Sequence, residues 1–211
     1  MKSYQAPEPG MPLQEVESPT PKPTGREVVL KTIACGVCHT DIHLHSGAFD
    51  LGDGNKLNVP VPNPFTLGHE VFGEVVAVGP DASNVSIGDK RIVYPWIGCN
   101  QCDVCHNGDE HLCSSGPVIG VMMPGGFGDH VIVPDSKYLH DAGDTPEHLA
   151  GSYACSGLTA FSALKKGAPY SSDNDLIIIG LGGVGMMGLQ IAKAAFNCNP
   201  IVVDVDEQKL K

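Results

Sequence analysis

The chain has 211 residues, of which 42% are hydrophobic and 18% are charged, which is typical of a globular protein with enough chain for one domain and part of another. Its formal net charge of −11 repels nucleic-acid phosphates, so we expect no nucleic-acid partner. The chain begins without a secretory pattern, and its most apolar run, 176–189, is short and rich in glycine, so we expect a cytoplasmic protein with no membrane partner.

Short apolar runs dominate the chain from about Val28 onward, and turn-forming residues separate them. Examples are VVLKTIA at 28–34, HEVFGEVVAVG at 69–79 and DHVIVPDS at 129–136. Runs of this kind predict the short strands of a small β-barrel or sandwich. We assign this β domain to residues 1–150.

Two short motifs with metal-binding side chains lie next to predicted strands. GVCHTD at 36–41 contains Cys38 and Asp41, and GHE at 68–70 contains His69 and Glu70. With Cys155 further along, Cys38 and His69 would supply two thiolates and an imidazole and leave one zinc position open, as in a catalytic site. Asp41 or Glu70 is a candidate to accept the other ring N–H of His69. Spacing alone supports this set weakly, because a single Cys or His is more often a core or surface residue.

Four cysteines follow in the pattern C-x2-C-x2-C-x7-C, formed by Cys99, Cys102, Cys105 and Cys113. Two-residue gaps let successive sulfurs face one centre, and the wider gap lets a loop return to it, as a tetrahedral zinc requires. An iron–sulfur cluster and disulfides are the alternatives. In ferredoxins, however, the last cysteine follows at x3 and precedes a proline, whereas here it follows at x7 and precedes Ser114. We therefore predict a closed structural zinc lobe at 98–114.

The pattern changes near Thr145, where residues 145–166 are typical of helix. We expect Thr145 to cap the start of this helix. We also expect Gly151 and Gly157 to break it into pieces, because glycine lowers helix stability.

A short buried strand, a glycine-rich loop, a helix and a second strand are predicted over 175–204. The loop GLGGVG at 180–185 matches G-x-G-x-x-G in the strand-to-helix context that binds a dinucleotide. Gly180 would permit the tight turn, Gly182 the approach of a pyrophosphate, and Gly185 the packing of helix against strand. Residues 151–211 are thus predicted to form junction helices and an incomplete Rossmann domain.

Asp204 ends the second of these strands, 19 residues after Gly185. There its carboxylate would bind the ribose of NAD and repel the 2′-phosphate of NADP. The alternative is that Asp204 is a turn residue without a ligand.

Five motifs in this order resemble the zinc-containing medium-chain alcohol dehydrogenases: GVCHTD, GHE, the four-cysteine lobe, CSGLTA at 155–160, and GLGGVG with the later VVDVD. The resemblance extends from about Val28 to Lys211. It implies an α/β plus β fold, with a GroES-like β-barrel catalytic domain followed by the first part of a Rossmann domain. It also implies two zinc ions per chain, NAD as cofactor, and hydride transfer between an alcohol and an aldehyde or ketone.

The resemblance implies roles at the reacting centre for seven residues. The catalytic zinc ligands would be Cys38, His69 and Cys155, with Glu70 beside the zinc, Asp41 orienting His69, Thr40 next to the alcohol and His43 at the outer end of the proton relay. His43 has the alternative of being a surface residue. Trp96 would line the substrate pocket, although ordinary core packing is its alternative.

The resemblance also implies the residues that bind the cofactor. The glycine-rich loop residues are Gly180, Gly182, Gly183 and Gly185, and the other contacts are His39 near the pyrophosphate, Thr159 and Val184 at the nicotinamide, and Asp204 and Lys209 at the adenosine ribose.

A doubly wound cofactor domain has about six strands, and only two are predicted here. We therefore expect a fragment of a longer protein that, by itself, binds NAD poorly and turns over little, and a full-length protein that is a homo-oligomer. One alternative is a relative that acts on a polyol or an aromatic alcohol. Another is a non-catalytic zinc module, which would hold one zinc instead of two.

Overall fold

The computed structural model describes residues 1–59, 61–167 and 175–211. Contacts divide the chain into two units, Met1–Gly151 and Ser152–Lys211. In the described ranges, no helix has the length and apolar character needed to cross a membrane.

The first unit consists mainly of short antiparallel strands, and these are β1 (Lys2–Ala6), β2 (Gln14–Glu17), β3 (Val28–Gly36), β4 (Ala48–Gly52), β5 (Asn55–Asn58), β6 (Phe65–Thr66), β7 (Glu70–Val78), β8 (Lys90–Val93), β9 (His130–Val133) and β10 (Leu139–His140). The largest sheet has the order β10-β8-β7-β3-β9, a second has the order β2-β1-β6, and β4 pairs with β5. The backbone of β1 also bonds to residues 127–129, directly before β9, through an isolated bridge between Ser3 and Gly128.

The core of this unit is formed by β-branched and aliphatic side chains of the largest sheet. Val28 and Leu30 of β3 and Val71 and Val75 of β7 are fully buried. They pack with the buried Tyr138. Burial of each such aliphatic side chain contributes roughly 1.5–3 kcal/mol, so this layer fixes the strands that carry the site.

The pairing of β3 with β7 brings two motifs together that are far apart in the sequence. The antiparallel register places Cys35 opposite Val71 and Gly36 opposite Glu70. The end of β3 therefore lies beside the start of β7, and the GVCHTD and GHE motifs meet at one edge of the sheet.

Three α-helices belong to the first unit as described: α1 (His39–Ser46), α2 (Asp103–His106) and α3 (Glu147–Ala150). Helix α1 begins directly after β3 with Cys38 as its N-cap, and it ends at Gly47, whose φ of 80° is left-handed. Glycine adopts this conformation at little cost. Short 3-10 helices lie at Glu110–Leu112, Ser136–Tyr138 and Gly151–Ala154.

The second unit contains α4 (Ser156–Gly167), β11 (Ile177–Ile179), α5 (Gly183–Phe196) and β12 (Ile201–Val203). Strands β11 and β12 are parallel, with Ile178 opposite Val202, so β11, α5 and β12 form the expected strand–helix–strand unit. Helices α4 and α5 pack through Phe161 and Phe196, whose ring centroids are 5.6 Å apart.

Three local predictions were wrong. Thr145 does not cap a helix, because Pro146 is the N-cap of α3 and makes no side-chain cap bond. Gly157 lies inside α4 without breaking it, since one glycine costs a helix only about 1 kcal/mol. The strand predicted as buried, β11, exposes 82% of Ile179. The predicted break at Gly151 is confirmed, because α3 ends there and a 3-10 helix begins.

Candidate metal centres and the glycine-rich loop

The four-cysteine lobe has the geometry of a closed metal site. The sulfur of Cys105 lies 3.9 Å from that of Cys99 and 3.5 Å from that of Cys102, and the sulfurs of Cys102 and Cys113 are 3.9 Å apart. A tetrahedral zinc with bonds of about 2.3 Å separates its sulfurs by about 3.8 Å. The donor set therefore fits zinc, and no disulfide joins any of these cysteines.

Local structure turns the sulfurs inward. Cys102 is the N-cap of α2 and Cys105 lies within that helix, so the C-x2-C spacing corresponds to one helical turn. Asn100 takes a left-handed φ of 58°. At Gly98 a Cβ atom would lie 2.8 Å from the sulfur of Cys105, which explains the glycine at this position.

Electrostatics in the lobe favours at least one thiolate. A hydrogen bond from the backbone N–H of Cys99 is the main reason why the pKa of Cys113 is lowered to about 6. Burial raises the pKa of Cys105 to about 12. Since the thiolate is the form that binds a metal, the hydrogen bond from Cys99 favours the metal-binding form of Cys113.

The second candidate centre starts at the N-terminus of α1. The sulfur of Cys38 accepts the N–H of Thr40 at 3.5 Å, and Asp41 Oδ2 accepts the N–H of Cys38 at 2.9 Å. Asp41 Oδ1 accepts the N–H of Gly68 at 3.2 Å and lies 3.2 Å from His69 Nδ1. A carboxylate can only accept, so Nδ1 donates and Nε2 of His69 is left as the metal donor.

His69 and Asp41 are almost completely buried, each with a side chain 2% exposed. Burial lowers the pKa of His69, but hydrogen bonds from its ring to Asp41 and Cys38 outweigh this effect and raise the pKa to about 10. Asp41 and Cys38 thus favour positive charge at this position, which a bound cation would also supply.

Glu70 is buried next to this pair. Candidate ligand atoms of Cys38, His69 and Glu70 lie within 4.8 Å of one another. A Cβ atom at Gly36 would collide with the carboxylate of Glu70, and one at Gly151 would collide with its backbone carbonyl. Two glycines therefore make room for Glu70 beside the predicted zinc position.

Cys155 belongs to the second unit and is half-buried. Its carbonyl accepts the N–H of Thr159 at 2.9 Å, so it begins the hydrogen bonding of α4. Its role as the third zinc ligand stays a prediction.

The predicted relay residues lie on α1. The rings of His39 and His43 are stacked with centroids 5.0 Å apart, and the ring of Phe49 lies 4.7 Å from that of His43 in a tilted arrangement. His43 thus contacts two rings. Trp96 is half-buried at the base of the four-cysteine lobe, where it forms a backbone bridge with Val118. The relay and pocket roles stay predictions.

The glycine-rich loop has the conformation that its motif requires. Gly180 has a left-handed φ of 90°, and a Cβ atom at Gly185 would collide with the carbonyl of Gly180 and lie 3.6 Å from Ile178 of β11. Gly182 and Gly183 face open space. Backbone N–H groups at the start of α5 are therefore accessible to an anion.

Asp204 bonds to the glycine-rich loop itself. Its Oδ2 accepts the N–H of Leu181 at 2.6 Å, its Oδ1 accepts the N–H of Asp206 at 2.9 Å, and Lys209 Nζ lies 3.9 Å away. The N–H of Leu181 is the main cause that lowers the pKa of this carboxyl group. Asp204 is thus joined to the loop, whereas Thr159 and Val184 are exposed and their nicotinamide contacts stay predictions.

Some residues that support the site were missed by sequence reasoning. Lys137 and Tyr138 both bond to the four-cysteine lobe, although they lie 24 or more positions after Cys113. No motif links them to the cysteines. The role of Gly36 in making room for Glu70 was also missed. Its position at the start of the GVCHTD motif was the one signal for it in the sequence.

The fold and these centres define a class of protein. Residues 24–144, more than half of the chain, match the family described as the alcohol dehydrogenase GroES-like domain. The chain therefore belongs to this family, and the family recognised from its motifs is confirmed.

Among known proteins, the chain is similar to an NAD-dependent alcohol dehydrogenase of Sulfurisphaera tokodaii. The two are 38% identical over 213 residues, which cover 100% of this chain and 60% of the relative. The chain thus spans less than two thirds of that relative's length.

Two solved structures extend the comparison. D-arabinose dehydrogenase from Sulfolobus solfataricus is 27% identical with a TM-score of 0.82, covering 99% of this chain and 62% of that one. A cobalt- and zinc-bound thermostable alcohol dehydrogenase from Pyrobaculum aerophilum is 27% identical with a TM-score of 0.83, and the match covers 100% of this chain and 60% of that one. The two-part fold expected from the motifs is confirmed by these similarities.

Proposed function

We propose that the protein carrying this chain is a zinc-dependent oxidoreductase that interconverts an alcohol and an aldehyde or ketone with NAD. The observation that carries the proposal is the buried carboxylate of Asp41, which holds Cys38 and His69 together beside Glu70. Cys155 would complete the zinc ligands, as the family resemblance implies. Zinc, when bound, supplies Lewis acidity toward the alcohol oxygen, and NAD, when bound, accepts the hydride.

The residues of this chain would then position the reactants and move the proton. The hydroxyl of Thr40 would accept the alcohol's proton while releasing its own toward His43, which lies against the rings of His39 and Phe49 and would pass a proton on to solvent. General base assistance of this kind contributes about 10²–10⁴-fold to a rate. The burial of His69 and Glu70 limits access of water to this side of the site.

The preference for NAD rests on Asp204. Its carboxylate is fixed at the end of β12 by the N–H of Leu181, and a negative charge at this position disfavours the 2′-phosphate of NADP. The S. tokodaii relative is named an NAD-dependent alcohol dehydrogenase, which supports the proposed cofactor. The second zinc would occupy the four-cysteine lobe, for a total of two per chain.

A second candidate is the same chemistry on another hydroxyl compound. The similarity to a D-arabinose dehydrogenase favours polyols and sugars as substrates to test beside simple and aromatic alcohols. We also propose a cytoplasmic location, which the eight free cysteines support, and a homo-oligomeric full-length protein, as the resemblance implies.

Metal analysis and a substrate screen test the proposal together. Zinc is counted on the purified chain, and NADH absorbance is followed for the natural protein that carries it, with simple alcohols, aromatic alcohols and polyols. We expect two zinc equivalents and NAD-dependent oxidation of at least one alcohol class.

Cys38→Ser is the matched variant for this test. It should remove one zinc equivalent and abolish alcohol oxidation while leaving the lobe zinc in place. The opposite outcome is one zinc in the parent protein and the same one zinc in Cys38→Ser. That result would identify a non-catalytic zinc module.

A further inference from the structure

The four-cysteine lobe carries an excess of negative charge. Residues 98–114 include Asp103, Asp109 and Glu110 but no lysine or arginine. Four thiolates around one Zn²⁺ add a net charge of about −2. A cation from elsewhere in the chain would therefore stabilise the loaded lobe.

Lys137 supplies such a cation from a separate segment. Its Nζ donates to Asn100 Oδ1 at 2.5 Å and to Glu110 Oε1 at 2.5 Å. Asn100 lies between the first two cysteines of the lobe, and Glu110 lies three residues before the last. One ammonium group thus joins the beginning of the lobe to its end, and the side chain of Glu110 is only 19% exposed.

Lys137 is itself held firmly in place. It lies in the 3-10 helix Ser136–Tyr138, where the side chain of Asp135 accepts the backbone N–H of Lys137 at 2.9 Å. Asp135 is paired with Arg26 at 2.7 Å. The next residue, Tyr138, is 2% exposed, and its hydroxyl oxygen accepts the N–H of Gly98 at 3.1 Å.

We propose that Lys137 is a positioning residue that retains the metal of the four-cysteine lobe. By bridging Asn100 and Glu110, it keeps the sulfurs at metal-binding separations and opposes the opening that zinc release requires. This inference rests on the zinc site in the proposed function. Loss of a group that orients metal ligands lowers metal affinity about 10–100-fold, and easier opening of the lobe without this bridge predicts faster zinc release.

The test measures zinc release to an excess of a chromogenic chelator. A Cys38→Ser background leaves only the lobe zinc to be followed. In this background Lys137→Met should release zinc at least about tenfold faster, and Lys137→Arg, which keeps the charge and several donors, should restore much of the slow release. Glu110→Gln, which keeps the shape of the side chain, should also speed release and provides a second variant if Lys137→Met folds poorly.

Lys90→Met is the matched control. Lys90 forms an ion pair of the same length with Glu147, at 2.5 Å, but this pair is more exposed and lies outside the lobe. Its loss should leave zinc release unchanged, whereas equal acceleration by both lysine variants would indicate general destabilisation and overturn the proposal. One bound zinc with unchanged release in Lys137→Met and Glu110→Gln would overturn the Lys137 inference alone. No lobe zinc in the Cys38→Ser parent would refute the zinc site as well.

Discussion

The carboxylate of Asp41 links the backbone of Cys38 to the ring of His69, with one oxygen 2.9 Å from the amide nitrogen and the other 3.2 Å from Nδ1. These residues lie on α1 and just before β7, so a single buried side chain fixes two metal donors from different elements. It also selects the ring nitrogen of His69 that remains for a metal.

Replacement of Asp41 should therefore weaken the catalytic zinc site without removing a ligand. We expect Asp41→Asn to lower zinc affinity at this site about 10–100-fold, because asparagine has a single acceptor oxygen and must lose the hydrogen bond from either Cys38 or His69. Competition with a chelator of known affinity measures the change. Asp50→Asn, on an exposed strand, should behave like the parent, and equal affinity in both variants would remove Asp41 from the site.

Loss of a lobe cysteine should affect stability more than chemistry. Cys102→Ser removes one of four sulfurs, so the lobe should lose its zinc and Tm should fall by roughly 5 °C or more, since 1 kcal/mol corresponds to about 2–4 °C in a protein of this size. Calorimetry and zinc analysis measure both effects. Cys198→Ser, outside both cysteine groups, should change neither, and an unchanged Tm and zinc content in Cys102→Ser would rule out a structural site.

Two glycine-to-alanine changes should have opposite effects. In Gly151→Ala the new methyl group collides with the carbonyl of Glu70, which should cost about 1–3 kcal/mol. In Gly188→Ala the methyl group has only ordinary contacts, 3.6 Å from Ile178, and the interior of α5 should gain about 0.5–1 kcal/mol. Denaturant unfolding compares them, and destabilisation by Gly188→Ala or none by Gly151→Ala would contradict this account.

Cofactor preference should depend on Asp204. Asp204→Ala removes the charge that repels a 2′-phosphate, so the ratio of NADP to NAD affinity should rise, by about tenfold for each 1.4 kcal/mol of repulsion removed. It also removes the acceptor of the Leu181 N–H, so both affinities should fall. Titration with each cofactor measures the ratio, and Glu207→Gln, a nearby exposed charge change, is the control. A ratio that stays constant in Asp204→Ala would exclude Asp204 from the ribose site.

The local elements near the motifs were predictable because their causes are local. The C-x2-C spacing predicted converging sulfurs, and the G-x-G-x-x-G pattern predicted the turn at Gly180 and the start of α5. Prediction was poorer where a neighbour decides the outcome. Thr145 was displaced as a cap by the adjacent Pro146, and Gly157 was accommodated within α4.

By itself, the sequence determined the family, the order of the two parts and the residue types available for metal and cofactor, since these depend on spacing along the chain. Only the tertiary structure decided which groups meet. Antiparallel pairing sets Gly36 opposite Glu70, Asp41 reaches His69 from α1, and Lys137 reaches the four-cysteine lobe from a later segment. Contacts of this kind depend on strand register and on packing between distant segments, which no local pattern of residues encodes.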